Sequence, residues 1–297
     1  MDWLSNGVMF AWYAPLITVI GAAGAVRVFA APEGADAGGW DTSALRIARL
    51  TMPLVLLALL ARLWLQTWQA FGTDQPLTLP FAAIIIRETP WGDGWLWQTA
   101  ASLAAWAIIT ILPPKRWLLL LLAALALGGT VGMTGHAAGA DTYTQLLIAA
   151  HGVHVLAAGL WLGTLVIVLL VTRPSTKSTP EDARERLAGA IDRFSPQAVA
   201  SVAVLASSGI VAAWQHVNSL EALFTPYGFV FIAKVVAFGA AALCGFYNWR
   251  VVRPMLASHP EGPSHLRSMA TLELAFGLAA LVLTSVLTSM PMPTHDK

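Results

Sequence analysis

Long apolar runs separated by short polar joints dominate the chain. Eight runs, at 7–30, 46–71, 94–112, 116–135, 144–172, 194–218, 226–250 and 267–290, reach the roughly 20 residues that cross a bilayer. Backbone groups surrounded by hydrocarbon need internal partners, so each run is expected to be a helix. The third run is the shortest and opens on Gly94-Trp-Leu-Trp-Gln98, and Pro113-Pro114 separates it from the fourth. The fold class this predicts is all-α: a polytopic membrane bundle of about eight transmembrane helices. No internal repeat, low-complexity tract or second domain stands out, so 1–297 reads as a single transmembrane domain.

Composition sharpens this picture. The 297 residues are 57% hydrophobic and 11% charged, where a soluble domain carries about 25% charged residues. Lipid is therefore the expected solvent for most of the chain. A net charge of +1 gives no reason to expect nucleic acid. The single cysteine, Cys244, excludes an internal disulfide and any cysteine-framework zinc or iron–sulfur site. Trp3, Trp91, Trp95, Trp97 and Trp117 flank apolar runs, where interfacial belts form.

The joints fall into two chemical groups. Arg27, Arg46, Arg49, Lys115, Arg116, Arg173, Lys177, Arg184, Arg186, Arg193, Arg250, Arg253 and Arg267 fall on one side. Asp2, Asp74, Arg87, Glu88, Asp93, Asp141, Glu221, Asp296 and Lys297 fall on the other. The positive-inside rule makes the first side cytoplasmic and predicts both termini outside, in the periplasm of a bacterial inner (plasma) membrane protein. The joint 173–193 is expected to hold a short charged helix around 180–186. Asp2 precedes the first run and Arg27 follows it, the reverse of a secretory signal, so that run is expected to stay as a helix.

Histidines gather on the outer side. His136 follows the fourth run, His151 and His154 lie three residues apart in the fifth, His216 ends the sixth, and His295 is in the C-terminal tail. Residues three apart share a helical face, and neutral imidazole is the commonest metal ligand. Taken singly, His136, His216 and His295 are read as interfacial or backbone-bonded. The His151/His154 pair, deep in an apolar run, points to a site. Met290 and Met292 stand beside His295, and thioethers select Cu(I), while Met9 and Met133 read as apolar filler. Arg62, Lys234 and Glu273 fall inside runs, where ionisable groups are costly and mark ion routes or interhelical pairs. Lys234 and Glu273 could pair if their helices pack antiparallel, but their depths differ by about 9 Å, which works against direct contact. No Gly-x-x-x-x-Gly-Lys-Ser/Thr run indicates an ATP site.

Several motifs in order resemble the CopD-type copper-resistance proteins of the bacterial inner membrane. They are Thr89-Pro-Trp-Gly92, Gly135-His136, His151 with Trp161-Leu-Gly163, and Arg193-Phe-Ser-Pro196. Gly209, Trp214-Gln-His216, Thr225-Pro-Tyr-Gly228, Lys234, Tyr247-Asn-Trp-Arg250 and Pro254 continue the series. The resemblance is strongest over 129–255. It implies an eight-helix protein that moves copper from periplasm towards cytoplasm and receives it from a small periplasmic carrier of the CopC type. Thr164 departs from the pattern, where a second glycine is expected, a change that bears on helix packing.

The resulting expectation is a copper-binding transfer protein, not an enzyme, with Cu(I) or Cu(II) held by His136, His151, His154 and His216. Met290, Met292 and His295 would capture the ion first, and Arg62, Lys234 and Glu273 would tune the inner route. Two alternatives stand beside it. Paired histidines also hold haem b in membrane redox proteins, and an assembly or docking subunit needs no metal.

Overall fold

The computed structural model describes residues 2–30, 39–72, 78–135, 138–139, 142–172, 180–216 and 220–290. Among these the fold is helical throughout, without strands. The helices are α1 (Asp2–Phe29), α2 (Trp40–Phe71), α3 (Leu79–Glu88), α4 (Pro90–Ile111), α5 (Trp117–Thr130) and α6 (Thr144–Ala158). They continue with α7 (Thr164–Val171), α8 (Pro180–His216), α9 (Pro226–Tyr247), α10 (Arg253–Ser258) and α11 (Gly262–Leu287). A π-turn over Gly159–Gly163 joins α6 to α7, and another over Asn248–Val252 joins α9 to α10.

Among the described residues seven helices are long and apolar enough to cross a membrane: Trp3–Phe29, Trp40–Phe71, Pro114–Thr134, Thr144–Val171, Glu181–Trp214, Pro226–Leu256 and Gly262–Leu287. The remaining expected span is α4, which is 22 residues long and packs between α2 and α5 but is not among the seven. Its first half carries the polar Gln98 and the tryptophans Trp91, Trp95 and Trp97. The hydrophobic pattern predicts a joint over 72–93. In fact α3 occupies part of it and packs on α4.

The charged stretch around 180–186 is not a separate short helix. It forms the first turns of α8, which runs unbroken for 37 residues, about 55 Å at 1.5 Å per residue. That exceeds a hydrocarbon core of about 30 Å, so the charged end extends past it.

α1 sits at the centre, packing on α2, α5, α6, α7, α8 and α11. Small residues permit this. A Cβ on Gly21 would stand 2.0 Å from the Gly163 carbonyl carbon, and one on Gly163 would stand 2.1 Å from the Ile17 carbonyl oxygen. Thr164 uses the same contact. Its buried hydroxyl donates to the Gly21 carbonyl at 3.1 Å and accepts from Gln197 Nε2 at 3.1 Å. Gln197 also donates to the Leu160 carbonyl at 2.8 Å and accepts from Arg27. The departure at Thr164 thus ties α1, α7 and α8 together.

The basic side is built into helix ends. Arg49 donates to the Ile109 carbonyl at 2.9 Å at the end of α4, Arg193 to Val28 at 2.6 Å at the end of α1, and Arg267 to Leu169 and Thr172 at the end of α7. Terminal carbonyls lack helical partners and carry partial negative charge, which arginine satisfies. At the opposite end Ser289 donates to Asn6 and Gln69 donates to Ser5, so the two described ends of the chain lie together.

Two helices start on one device. Thr89 caps α4 by accepting from Gly92 N at 3.0 Å, and Thr225 caps α9 by accepting from Gly228 N at 3.1 Å. Each is followed by proline, an aromatic residue and a glycine. A Cβ on either glycine would lie within 2.3 Å of a carbonyl of the preceding turn. Gln98 and Lys234 follow these threonines at the same spacing.

Candidate metal centre and its polar neighbours

His151 and His154 lie on α6, His154 about 15 Å from its start. Their neighbours differ. The Tyr13 hydroxyl on α1 lies 3.3 Å from His151 Nε2, with ring centroids 6.4 Å apart and planes at 24°. His154 Nδ1 lies 2.9 Å from Ser208 Oγ on α8. Ser208 spends its own proton on the Val204 carbonyl at 2.7 Å, so its lone pair faces the ring and Nδ1 carries the hydrogen. That tautomer makes Nε2 the lone-pair nitrogen, the ordinary arrangement behind a metal-binding imidazole. A glycine borders each ring, at ordinary contact distance. Cβ atoms on Gly135 and Gly209 would stand 3.9 Å from Cε1 of His151 and His154, respectively.

Polar groups continue from the pair on both sides. Tyr13 is also within electrostatic reach of Arg62, and His154 of Lys234. Arg62 on α2 is buried. It donates to Gln98 Oε1 at 2.8 Å and Thr134 Oγ1 at 2.7 Å, and its guanidinium lies 5.1 Å from the Trp12 ring and 5.9 Å from the Trp91 ring. Gln98, fully buried, completes the cradle by donating to Thr134 Oγ1 at 2.8 Å and the Thr130 carbonyl at 2.9 Å. Cation–π contact and neutral acceptors here do the work of a counter-ion.

Glu273 on α11 is 3% exposed. Its oxygens accept from Trp161 Nε1 at 2.7 Å and Asn248 Nδ2 at 3.0 Å. Lys234 and Glu273 do not form an ion pair, although α9 and α11 pack together. Each donor to Glu273 stands in one of the two π-turns, a geometry frequent at functional sites.

The other expected ligands divide as follows. His136, Met292 and His295 lie outside the described residues, and so does the side chain of His216, although its backbone ends α8. Met290 follows α11 and is half-buried. Among the described residues no three His, Cys, Asp or Glu side chains gather closely enough to hold a metal ion. The sequence reading missed Tyr13, Ser208 and Thr134, hydroxyls in apolar runs whose only signal was their presence there. Trp161 and Asn248 are legible in the sequence only as motif members, and Gln98 only as a polar residue at the opening of the third run.

Residues 1–146 match the model of the copper resistance protein D-like N-terminal domain, and residues 188–287 that of copper resistance protein D. Copper transport protein CutJ of Bacillus subtilis (strain 168) is 27% identical over 221 residues, 70% of this chain. The chain spans 39% of that relative's length. No solved structure matches.

Proposed function

Because the chain belongs to the copper resistance protein D family and is a multi-pass protein of the bacterial inner membrane, we propose that it binds copper at the outer end of the bundle and passes it towards the cytoplasm. His151 and His154 are the core of the site, joined by His136 and His216 from the neighbouring joint and helix end. Met290, Met292 and His295 capture the ion first. A periplasmic carrier of the CopC type delivers it. Arg62, Lys234 and Glu273 flank the inner route. The protein transfers an ion and catalyses no reaction.

The observation that supports this reading is the His154–Ser208 hydrogen bond at 2.9 Å. A partner on Nδ1 fixes ring and tautomer for metal binding at Nε2, inside a span where a polar group is costly without a use. Imidazole with thioether suits copper in either oxidation state, Cu(I) most of all. The haem alternative would pair His151 or His154 with His136 or His216, whose side chains lie outside the described residues, and no observation favours it.

The test is elemental analysis and an absorption spectrum on detergent-purified protein, beside a His151→Ala/His154→Ala variant of unchanged helicity. Near-stoichiometric copper lost in the variant is the expected result. Copper retained in the variant sinks the site, and a Soret band replaces this reading with the haem one. No metal at all favours a docking role.

A further inference from the structure

Trp161 follows His154 by seven residues, about 10 Å further along the same span, and there holds the Glu273 carboxylate. Both oxygens of that carboxylate are bound by neutral donors, Trp161 Nε1 and Asn248 Nδ2. The charged and titratable groups on the elements packed against α11 are turned elsewhere. On α1, Arg27 is bound to Gln197 and Tyr13 faces His151. On α10, Arg253 pairs with Asp192, and on α11 itself Arg267 caps α7 while His265 is exposed near the helix start. α7 carries no titratable residue, and Arg250 in the π-turn is exposed. On α9, Cys244 is the titratable group within electrostatic reach. Lys234 lies eleven residues from Gly245, about 16 Å along the helix. An ionised carboxylate here has no compensating cation among the described residues, a costly state at this depth.

Asn248 supplies the second observation. Its amide oxygen Oδ1 is buried and has no hydrogen-bond partner. A primary amide has a donor end and an acceptor end. With Nδ2 towards Glu273 it serves the ionised acid. Rotated, Oδ1 accepts from the protonated acid's O–H. The side of the carboxylate next to Gly245 is kept clear, because a Cβ there would stand 2.9 Å from Oε1. Two π-turns, one on each neighbouring helix, bring these groups to the same point.

We propose that Glu273 is a proton-exchange site for copper movement, with Asn248 as the positioning residue that serves both protonation states. Glu273 holds a proton while the histidine site is empty. A copper cation entering the span stabilises the ionised carboxylate across the poorly screening interior. The O–H bond then breaks, its electron pair stays on Glu273, and the proton passes to water. One proton leaves for each copper that enters, with no change of oxidation state. The proposal rests on the copper-transfer reading.

Infrared difference spectroscopy on the purified full chain, metal-free and then loaded with Cu(I) under reductant, tests it. Copper content is measured on the same samples. The expected result is a protonated-carboxylic-acid carbonyl band in the metal-free protein that disappears on copper loading. Glu273→Gln, which keeps the side chain's shape, lacks the band and, with no carboxylate for the cation to stabilise, binds copper more weakly. Glu273→Asp displaces the band and serves if the first variant does not fold. Absence of the acid band, or a band that copper leaves unchanged while copper binds, overturns the proposal. A band with no copper bound in any sample overturns the transfer reading and the coupling with it.

Discussion

Ser208 on α8 holds His154 on α6 through a 2.9 Å hydrogen bond, and the Ser208 proton is committed to its own helix at Val204. The ring is therefore oriented by a neighbouring hydroxyl, which stands behind the nitrogen of the proposed copper site. Loss of such an outer partner costs about 10–100-fold in metal affinity. Ser208→Ala is expected to weaken copper binding by that factor while leaving the detergent-solubilised thermal midpoint nearly unchanged. A competition titration against a chelator of known affinity reads it, and unaltered affinity removes Ser208 from the site.

The Arg62–Gln98–Thr134 cradle makes an opposite kind of prediction, about stability. Gln98→Leu removes one of the two acceptors of Arg62 and the donor to Thr130 and Thr134. It leaves a buried cation short of partners, at a cost of about 3 kcal/mol. Arg62→Met in the same background removes the stranded charge and is expected to restore part of that loss, a non-additive pair in a double-mutant cycle. Thermal unfolding of the four proteins in one detergent measures it. Strict additivity would mean the two side chains do not act together.

Helix contact at α1 gives a prediction with an internal control. Gly163→Ala puts a methyl 2.1 Å from the Ile17 carbonyl, whereas Gly129→Ala meets nothing within 4 Å. The first change is expected to destabilise by about 1–3 kcal/mol through overpacking. The second is expected to be neutral or to stabilise by up to about 1 kcal/mol through helix propensity. Unfolding midpoints that rank the other way would contradict the close approach of α1 to the Gly159–Gly163 turn.

Sidedness is open to direct labelling. In a Cys244→Ala background, a membrane-impermeant maleimide applied from the periplasm is expected to label Leu220→Cys and not Ser264→Cys. Both positions are exposed, and they stand at helix ends of opposite side. The reverse pattern would invert the topology and with it the direction of copper entry.

Much of the fold was legible because its constraint is local. Hydrocarbon forces backbone hydrogen bonds within each segment, so run length and apolarity identify the spans without reference to neighbours. The thirteen basic residues of one side show the same logic. Arg49, Arg193 and Arg267 turned out to cap helix carbonyls at that side. Thr89 and Thr225 were legible as motif members, and their capping follows from the positions of threonine and proline alone. The merger of 180–186 into α8 was not foreseen, because charge marks where a helix leaves the membrane and not where it ends.

The sequence by itself determined the solvent, the helical class, the family and the presence of polar groups at depth, since composition and spacing carry those directly. Only the tertiary structure decided which groups meet. Tyr13 and His151 are 138 positions apart, Trp161 and Glu273 are 112, and His154 and Ser208 are 54. Helix order and rotation bring such residues together, and glycine contacts such as Gly21 on Gly163 set that order. An apolar run looks the same whichever neighbour it packs against. The partner of each buried polar group was therefore fixed by packing, and that partner determines what the group can do.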